Sequence, residues 1–318
     1  MRRGECYSPR LFTNIFSLKI YYSLLLKTDP VKKIFKKKQE PQLKRNQFMF
    51  GLEKDPPIEI LVENVQTQKM SQGKWVIRST PVVKEIPLTI FLNDKEVVTL
   101  LCTGTHLGAL AIGFLKSEGL IDKKENIQDI TLDREKGIVM IKVDSTLPLE
   151  DKLFMKRTIT SGCGKGTMFY SAIDSLLSRK IESSLKIFPK QIFSLMSQLN
   201  ERSTLYKHTR GVHNAALASQ DEIIFFRADI GRHNAVDIIN GECFLNDIPL
   251  ENSILLTTGR ITSEVILKTA KMRIPIIISR NVATHHALTL ANELGITIVG
   301  DVRAEKLIVY THPGRILR

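Results

Sequence analysis

From about residue 72 the chain falls into a regular pattern of apolar and polar positions. KWVIRST and PLTIFL read as strands, Asn93-Asp94 as the turn between neighbours, and EVVTLLC as the return strand. In THLGALAIGFLKSEGLI, Leu107, Leu110, Ala111, Phe114 and Leu115 recur at helical spacing, with Thr105 placed to cap the start and Gly119 to stop the end. DITLD and GIVMIKVD predict a further hairpin around Glu135-Lys136-Gly137. Residues 51–155 are therefore expected to form a small antiparallel β-rich unit carrying one helix.

The second half reads differently. HNAALAS, EIIFFRA, SILLTT, PIIIS, ITIVG and KLIVYTH are strand-like runs, and most are apolar without a break. Between them lie helical stretches: AVDIIN, then ITSEVILKTAKM with Ile261, Val265, Ile266 and Thr269 on one face, then ATHHALTLANEL stopped by Gly295. Such alternation predicts a mostly parallel sheet covered on both faces, a three-layer α/β/α domain over residues 156–318.

Composition changes this picture at the N-terminus. The net charge of +13 is concentrated in residues 1–50, where twelve Lys/Arg face three Asp/Glu; the remaining residues hold 34 against 30. A basic tail on a nearly neutral body argues against a nucleic-acid function. The apolar stretch 11–26 is broken by Asn14 and Lys19 and is shorter than the roughly 20 residues of a bilayer crossing, so no integral membrane segment is expected. The like-charge block after it reads as a solvated, disordered extension, or as sequence ahead of a later start such as Met49. The cysteines at 6, 102, 163 and 243 form no C-x-x-C, which points to free thiols in a reducing compartment and away from a thiolate zinc site.

Three stretches could carry chemistry. In Thr160-Ser161-Gly162-Cys163-Gly164-Lys165-Gly166, three glycines leave Cys163 open to a partner, and Lys165 with an adjacent helix start would lower its pKa. The alternative is a glycine-rich turn in which Cys163 is incidental. Two Gly-Arg corners, Gly231-Arg232 and Gly259-Arg260, stand at strand-to-helix junctions and suit an anionic ligand such as a phosphate. The closing stretch Asp301-Val302-Arg303-Ala304-Glu305-Lys306 reads from spacing as an edge hairpin. His285-His286 point to different helix faces and no metal site is expected; the deaminase pattern H-x-E with P-C-x-x-C is absent.

Taken in order, THLGALAIGFLKSEGLI, TSGCGKG, RGVHNAAL, DIGRHNAVD, TGRITSE and VGDVRAEKLIVYTHPGRI resemble the FdhD/NarQ family of formate dehydrogenase accessory proteins over about residues 80–317. The resemblance implies a fold similar to that of cytidine deaminases with an added smaller domain. It implies a cytoplasmic, homodimeric sulfurtransferase. Such a protein takes persulfide sulfur from a cysteine desulfurase of the IscS type and passes it to the molybdenum of bis(molybdopterin guanine dinucleotide) before insertion into formate dehydrogenase. Cys163 matches the persulfide-bearing cysteine. Asp301, Val302, Arg303, Ala304, Glu305 and Lys306 match the family's cofactor-contacting stretch, and Arg232 and Arg260 are candidates for the guanine dinucleotide phosphates. The chain departs from the family pattern in having C-G-K-G-T for C-G-x-C-G, so that Gly166 replaces a second cysteine. Asp301 stands for an aromatic, Glu305 for a small residue and Ile238 for a frequent Lys. With one loop cysteine, sulfur release would draw electrons or a thiol from elsewhere, or pass directly to molybdenum. A non-catalytic cofactor-binding chaperone and a zinc-dependent nucleobase hydrolase are the competing classes.

Overall fold

A computed structural model of the chain describes residues 54–144 and 180–318, with the backbone of 157–158 and 168–169. The basic extension 1–50 and the loop around Cys163 lie outside the described residues. The chain divides into Met1–Met49 and Phe50–Arg318, and the described residues all lie in the second unit.

A short helix α1 (Ile58–Leu61) leads into a two-stranded antiparallel ribbon, β1 (Val62–Ser71) with β2 (Lys74–Val83). A four-stranded sheet follows, in the order β4-β3-β6-β5: β3 (Ile86–Leu92), β4 (Lys95–Cys102), β5 (Ile127–Asp133) and β6 (Ile138–Val143). Both hairpins foreseen from the pattern are present. Asn93 and Asp94 take φ values of 47° and 66°, the left-handed pair that a two-residue hairpin turn needs. The expectation of a purely antiparallel unit fails at the centre, where β3 and β6 run parallel. Helix α2 (Leu107–Ser117) makes the crossover between the two hairpins and so sets β6 beside β3 in the same direction. Leu88, Ile90 and Leu92 alternate onto the face that α2 covers with Leu107, Leu110, Ala111, Phe114 and Leu115. His106, at φ 50°, is the capping position of α2 in place of the expected Thr105.

The second sheet has the order β10-β9-β11-β12-β13-β14, with β9 (His213–Ala218), β10 (Ile223–Asp229), β11 (Ile254–Thr257), β12 (Ile276–Ser279), β13 (Thr297–Arg303) and β14 (Lys306–Val309). Only β11-β12 and β12-β13 pair in parallel; β9-β10, β9-β11 and β13-β14 are antiparallel. The expected mostly parallel sheet is thus a mixed one. Unbroken apolar runs report burial on both faces, which holds here, and are silent on strand direction. Tight turns at Ser219–Glu222 and around Ala304 (φ 49°) return the outer strands antiparallel.

Helices cover both faces, giving three layers. Helices α5 (Arg232–Leu245), α6 (Ser263–Lys271) and α7 (His285–Leu294) pack on Ala215, Leu217, Leu255, Ile277 and Ile298. On the other face α3 (Pro189–Arg202) sets Ile192, Leu195 and Leu199 against Ala216, Leu256, Ile278 and Val299. A one-turn helix, α4 (Thr204–Thr209), links α3 to β9. The two sheets meet where α2 crosses α5 at Gly113 and Gly241: a Cβ on Gly113 would strike the Asp237 carbonyl, and one on Gly241 the Ala109 carbonyl. Close crossing here requires glycine on both helices.

Candidate functional site

The central strands β11, β12 and β13 end their carboxyl termini along one rim of the second sheet, the place where open α/β sheets bind ligands. A cavity of about 570 Å³ opens there. Its floor is made by Asn214 at the start of β9 and Thr258 just after β11, its apolar side by Met196 and Leu199 of α3, and its rim by Arg210, Arg280 and Arg303. Each arginine arrives from a different element. Arg210 follows α4 at φ 59°, with its guanidinium 5.2 Å from the Tyr206 ring centre. Arg280 follows β12, its backbone N–H donating to Thr257 O at 3.1 Å. Arg303 ends β13, its Nε 3.1 Å from Asp301 Oδ1. Three guanidiniums around one cavity could hold an anion, their forked donors matching phosphate oxygens.

The floor is held by backbone and short side chains. Asn214 N–H donates to Thr258 Oγ1 at 3.0 Å, and Thr258 N–H returns to Asn214 O at 2.9 Å. Asn214 Nδ2 donates to Ser203 Oγ at 2.8 Å, while Asn214 Oδ1 is buried without a partner. His213, also lining the cavity, has its pKa lowered by burial and by the nearby Arg232, so its ring is neutral near pH 7.

The residues singled out from the sequence fall in different places. Cys163 lies outside the described residues, between the paired two-residue strands β7 (Arg157–Thr158) and β8 (Met168–Phe169). Of the closing stretch, Arg303 alone lines the cavity; Val302 is in the core, Asp301 is half-buried, and Ala304, Glu305 and Lys306 are exposed. Arg232 packs against Gly259 beside the floor. Arg260 is exposed and outside the lining. The DIGRHN corner has a structural task. Buried Asp229 accepts from Thr103 N–H, Gly231 N–H and Asn234 Nδ2, each at 2.8 Å, joining the end of β4 to the start of α5. No cluster of three or more metal-ligating side chains occurs among the described residues.

The FdhD/NarQ family model matches residues 83–317, spanning the first sheet, the second sheet and the cavity between strand ends. The chain belongs to the FdhD/NarQ family. Similar proteins include the sulfur carrier protein FdhD of Bacillus pumilus, 42% identical over 77% of this chain and 94% of that one. That of Staphylococcus haemolyticus is 40% identical over 78% and 94%. A solved chain from Desulfotalea psychrophila, described as a formate dehydrogenase accessory protein, superposes with a TM-score of 0.66 at 28% identity, covering 81% of this chain and all of that one.

Arg210, Asn214 and Arg280 stand in no corner that spacing singles out, although RGVHNAAL, which carries the first two together with His213, is one of the blocks that resemble the family; Thr258 precedes the Gly259-Arg260 corner. The arginines carry no shared motif, because they converge through topology. Cys102 and Cys243 are free thiols in the core. Burial pushes Cys102 and Cys243 up to about 12, and Cys102 donates to Ile86 O at 3.4 Å.

Proposed function

We propose that this chain is a sulfur carrier for formate dehydrogenase maturation, acting as a sulfurtransferase through a persulfide on Cys163. In the loading step the Cys163 thiolate attacks the terminal sulfur of a cysteine desulfurase persulfide. The desulfurase cysteine leaves as a thiolate and Cys163 keeps the sulfane sulfur. In the release step the S–S bond would break, Cys163 leaving as a thiolate and the sulfane sulfur ending as a sulfido ligand on the molybdenum of bis(molybdopterin guanine dinucleotide), the substrate that is modified. The two electrons would come from a pair of external thiols that leave as a disulfide, or from the molybdenum itself as Mo(IV) becomes Mo(VI).

The observation that carries the reading is the arginine-rimmed cavity at the strand ends, in a chain whose relatives are named sulfur carriers. Arg210, Arg280 and Arg303 would hold phosphate oxygens. Neutral His213 keeps a further positive charge off the floor and can donate or accept one hydrogen bond. No helix among the described residues is long and apolar enough to cross a membrane. A location in the cytoplasm and a homodimeric state belong to the same proposal.

The test is to incubate the protein with a cysteine desulfurase and free cysteine, then measure intact mass and map the peptide. A gain of one sulfur on Cys163, absent from Cys163→Ala, is expected, with that variant failing to restore formate dehydrogenase activity in cells lacking the carrier. Full restoration by Cys163→Ala would leave a cofactor-binding chaperone in its place.

A further inference from the structure

The β1-β2 ribbon is exposed in a way that neither sheet is. Its register is unbroken from Val62↔Val83 to Ser71↔Lys74, yet only the base is covered, where Val62 and Val83 pack with Leu61, Leu205 and Val212. Towards the turn, Trp75 is 66% exposed, Ile77 70%, Val76 53% and Met70 48%. Trp75 and Met70 are directly paired, with Ile77 on the same face; Val76 pairs with Lys69 on the opposite face. The tip is therefore apolar on both sides. An isolated two-stranded ribbon gains little stability of its own, and four large apolar side chains gathered in water mark a surface that meets something.

Charge narrows what that is. Residues 64–84 contain Lys69, Lys74, Arg78 and Lys84 and no Asp or Glu, in a body whose charges nearly balance. Lys69, Lys74 and Arg78 are all exposed beside the apolar tip. We propose that the tip of this ribbon docks on an anionic membrane surface. A groove on a protein would cover one face of the ribbon, whereas a lipid headgroup layer receives both. Tryptophan favours the boundary between headgroup and acyl chain, and basic residues set around it pair with anionic headgroups. With no spanning helix among the described residues, attachment would be peripheral and reversible. The proposal is independent of the sulfur reading: it places the protein at a surface, whatever it carries.

Trp75 is the only tryptophan of the chain, so its emission reports on the ribbon itself. That separates the ribbon from the basic residues 1–50, which can bind anionic lipid by charge alone. The full chain is titrated with phosphatidylcholine vesicles, with and without phosphatidylglycerol, in low and high salt; a parallel set carries brominated acyl chains. The expected result is a blue shift and bromine quenching of Trp75 on phosphatidylglycerol vesicles, lost in high salt. Lys69→Gln/Lys74→Gln/Arg78→Gln should bind about a hundredfold more weakly, at about fivefold per basic residue. Val76→Ser/Ile77→Ser should reduce the quenching with far-ultraviolet circular dichroism unchanged, since both positions are exposed. The proposal is overturned by emission that stays unshifted on these vesicles, or by equal binding to vesicles lacking phosphatidylglycerol. A concentration-dependent shift without lipid would instead assign the tip to a second copy of the chain, and a shift only on adding desulfurase or formate dehydrogenase would assign it to a protein partner.

Discussion

Lys268 Nζ stands 2.5 and 2.7 Å from the two carboxylate oxygens of Asp237, with both side chains buried. Lys268 belongs to α6 and Asp237 to α5, and Ser117 Oγ of α2 donates to Asp237 Oδ1 at 2.6 Å. One ion pair thus ties the helix of the first sheet to two helices of the second. Burial alone would depress the Lys268 pKa; Asp237, with Glu118 and Glu264, outweighs it and holds the value above the usual one. Removing one partner leaves a buried charge alone. Lys268→Met should lower the unfolding free energy by about 3–5 kcal/mol, and Asp237→Leu/Lys268→Met should recover much of it. Urea midpoints decide the matter: a single variant within 1 kcal/mol of the parent, taking that as roughly the value of an exposed pair, would show that the pair contributes little.

Thiol chemistry should be confined to the residues outside the core. Cys102 and Cys243 are raised to about 12 by burial, with Asp229 adding to Cys102 and Glu242 to Cys243. At pH 7 in native buffer, iodoacetamide should leave both untouched, and label them once urea unfolds the chain. Peptide mapping that found either modified before Cys163 would reverse the assignment of the carrier thiol.

How much of this was readable along the chain depended on how local each cause is. Asn93-Asp94, Gly119 and Gly295 set turns and stops through their own backbone preferences. Val265, Ile266 and Thr269 do lie in α6, but Ile261, expected on the same helical face, bridges to Ala283 ahead of that helix, and every residue of α6 from Glu264 to Ala270 is buried, so spacing does not mark one face there. Strand direction was not readable, since buried runs look alike in either sense. Nor was β1 recognised: VENVQTQKMS alternates against no core and is exposed over almost its whole length. The structural task of Asp229 is not legible along the chain, because its partner Thr103 lies 126 residues away. Two of the three cavity arginines are hidden for the same reason: Arg210 and Arg280 are single residues in ordinary loops until the sheet order brings them beside Arg303.

Stability should peak near pH 6.5, because two histidines are displaced in opposite senses. Burial would depress His106, but Asp55 Oδ1 at 2.8 Å from its Nε2 and Glu242 Oε1 at 3.2 Å from its Nδ1 hold its pKa above the ordinary 6.5. Its contribution is complete below pH 6.5 and is lost as pH rises through the folded value. His233 goes the other way: burial first, then Lys268 and Arg232, take it down to about 3. The folded state then stays neutral where the unfolded chain gains a proton, so stability falls as pH drops below 6.5, by at most about 1.4 kcal/mol per unit. His213 adds in the same acid direction. Urea melts between pH 5 and pH 9 should show His233→Gln flattening the acid limb and His106→Gln the alkaline one; unchanged limbs in both variants would mean that other groups set the profile.

The cavity arginines yield the sharpest prediction about ligand binding. Arg210, Arg280 and Arg303 rim the cavity, whereas Arg260 lies outside its lining. A charge-assisted hydrogen bond to phosphate is worth about 1.5–3 kcal/mol, and these exposed guanidiniums fall at the low end, so each alanine substitution should weaken guanosine diphosphate binding by about tenfold. Arg260→Ala should change it less than about twofold, the range of a solvated surface charge. Asp301 holds Arg303 Nε at 3.1 Å and places a carboxylate at the rim, so Asp301→Ala should tighten binding and steepen its dependence on salt. Isothermal titration of the five proteins ranks these effects directly. If Arg280→Ala and Arg303→Ala bound the nucleotide as the parent does while Arg260→Ala lost it, the anion site would move from the strand ends to the start of α6.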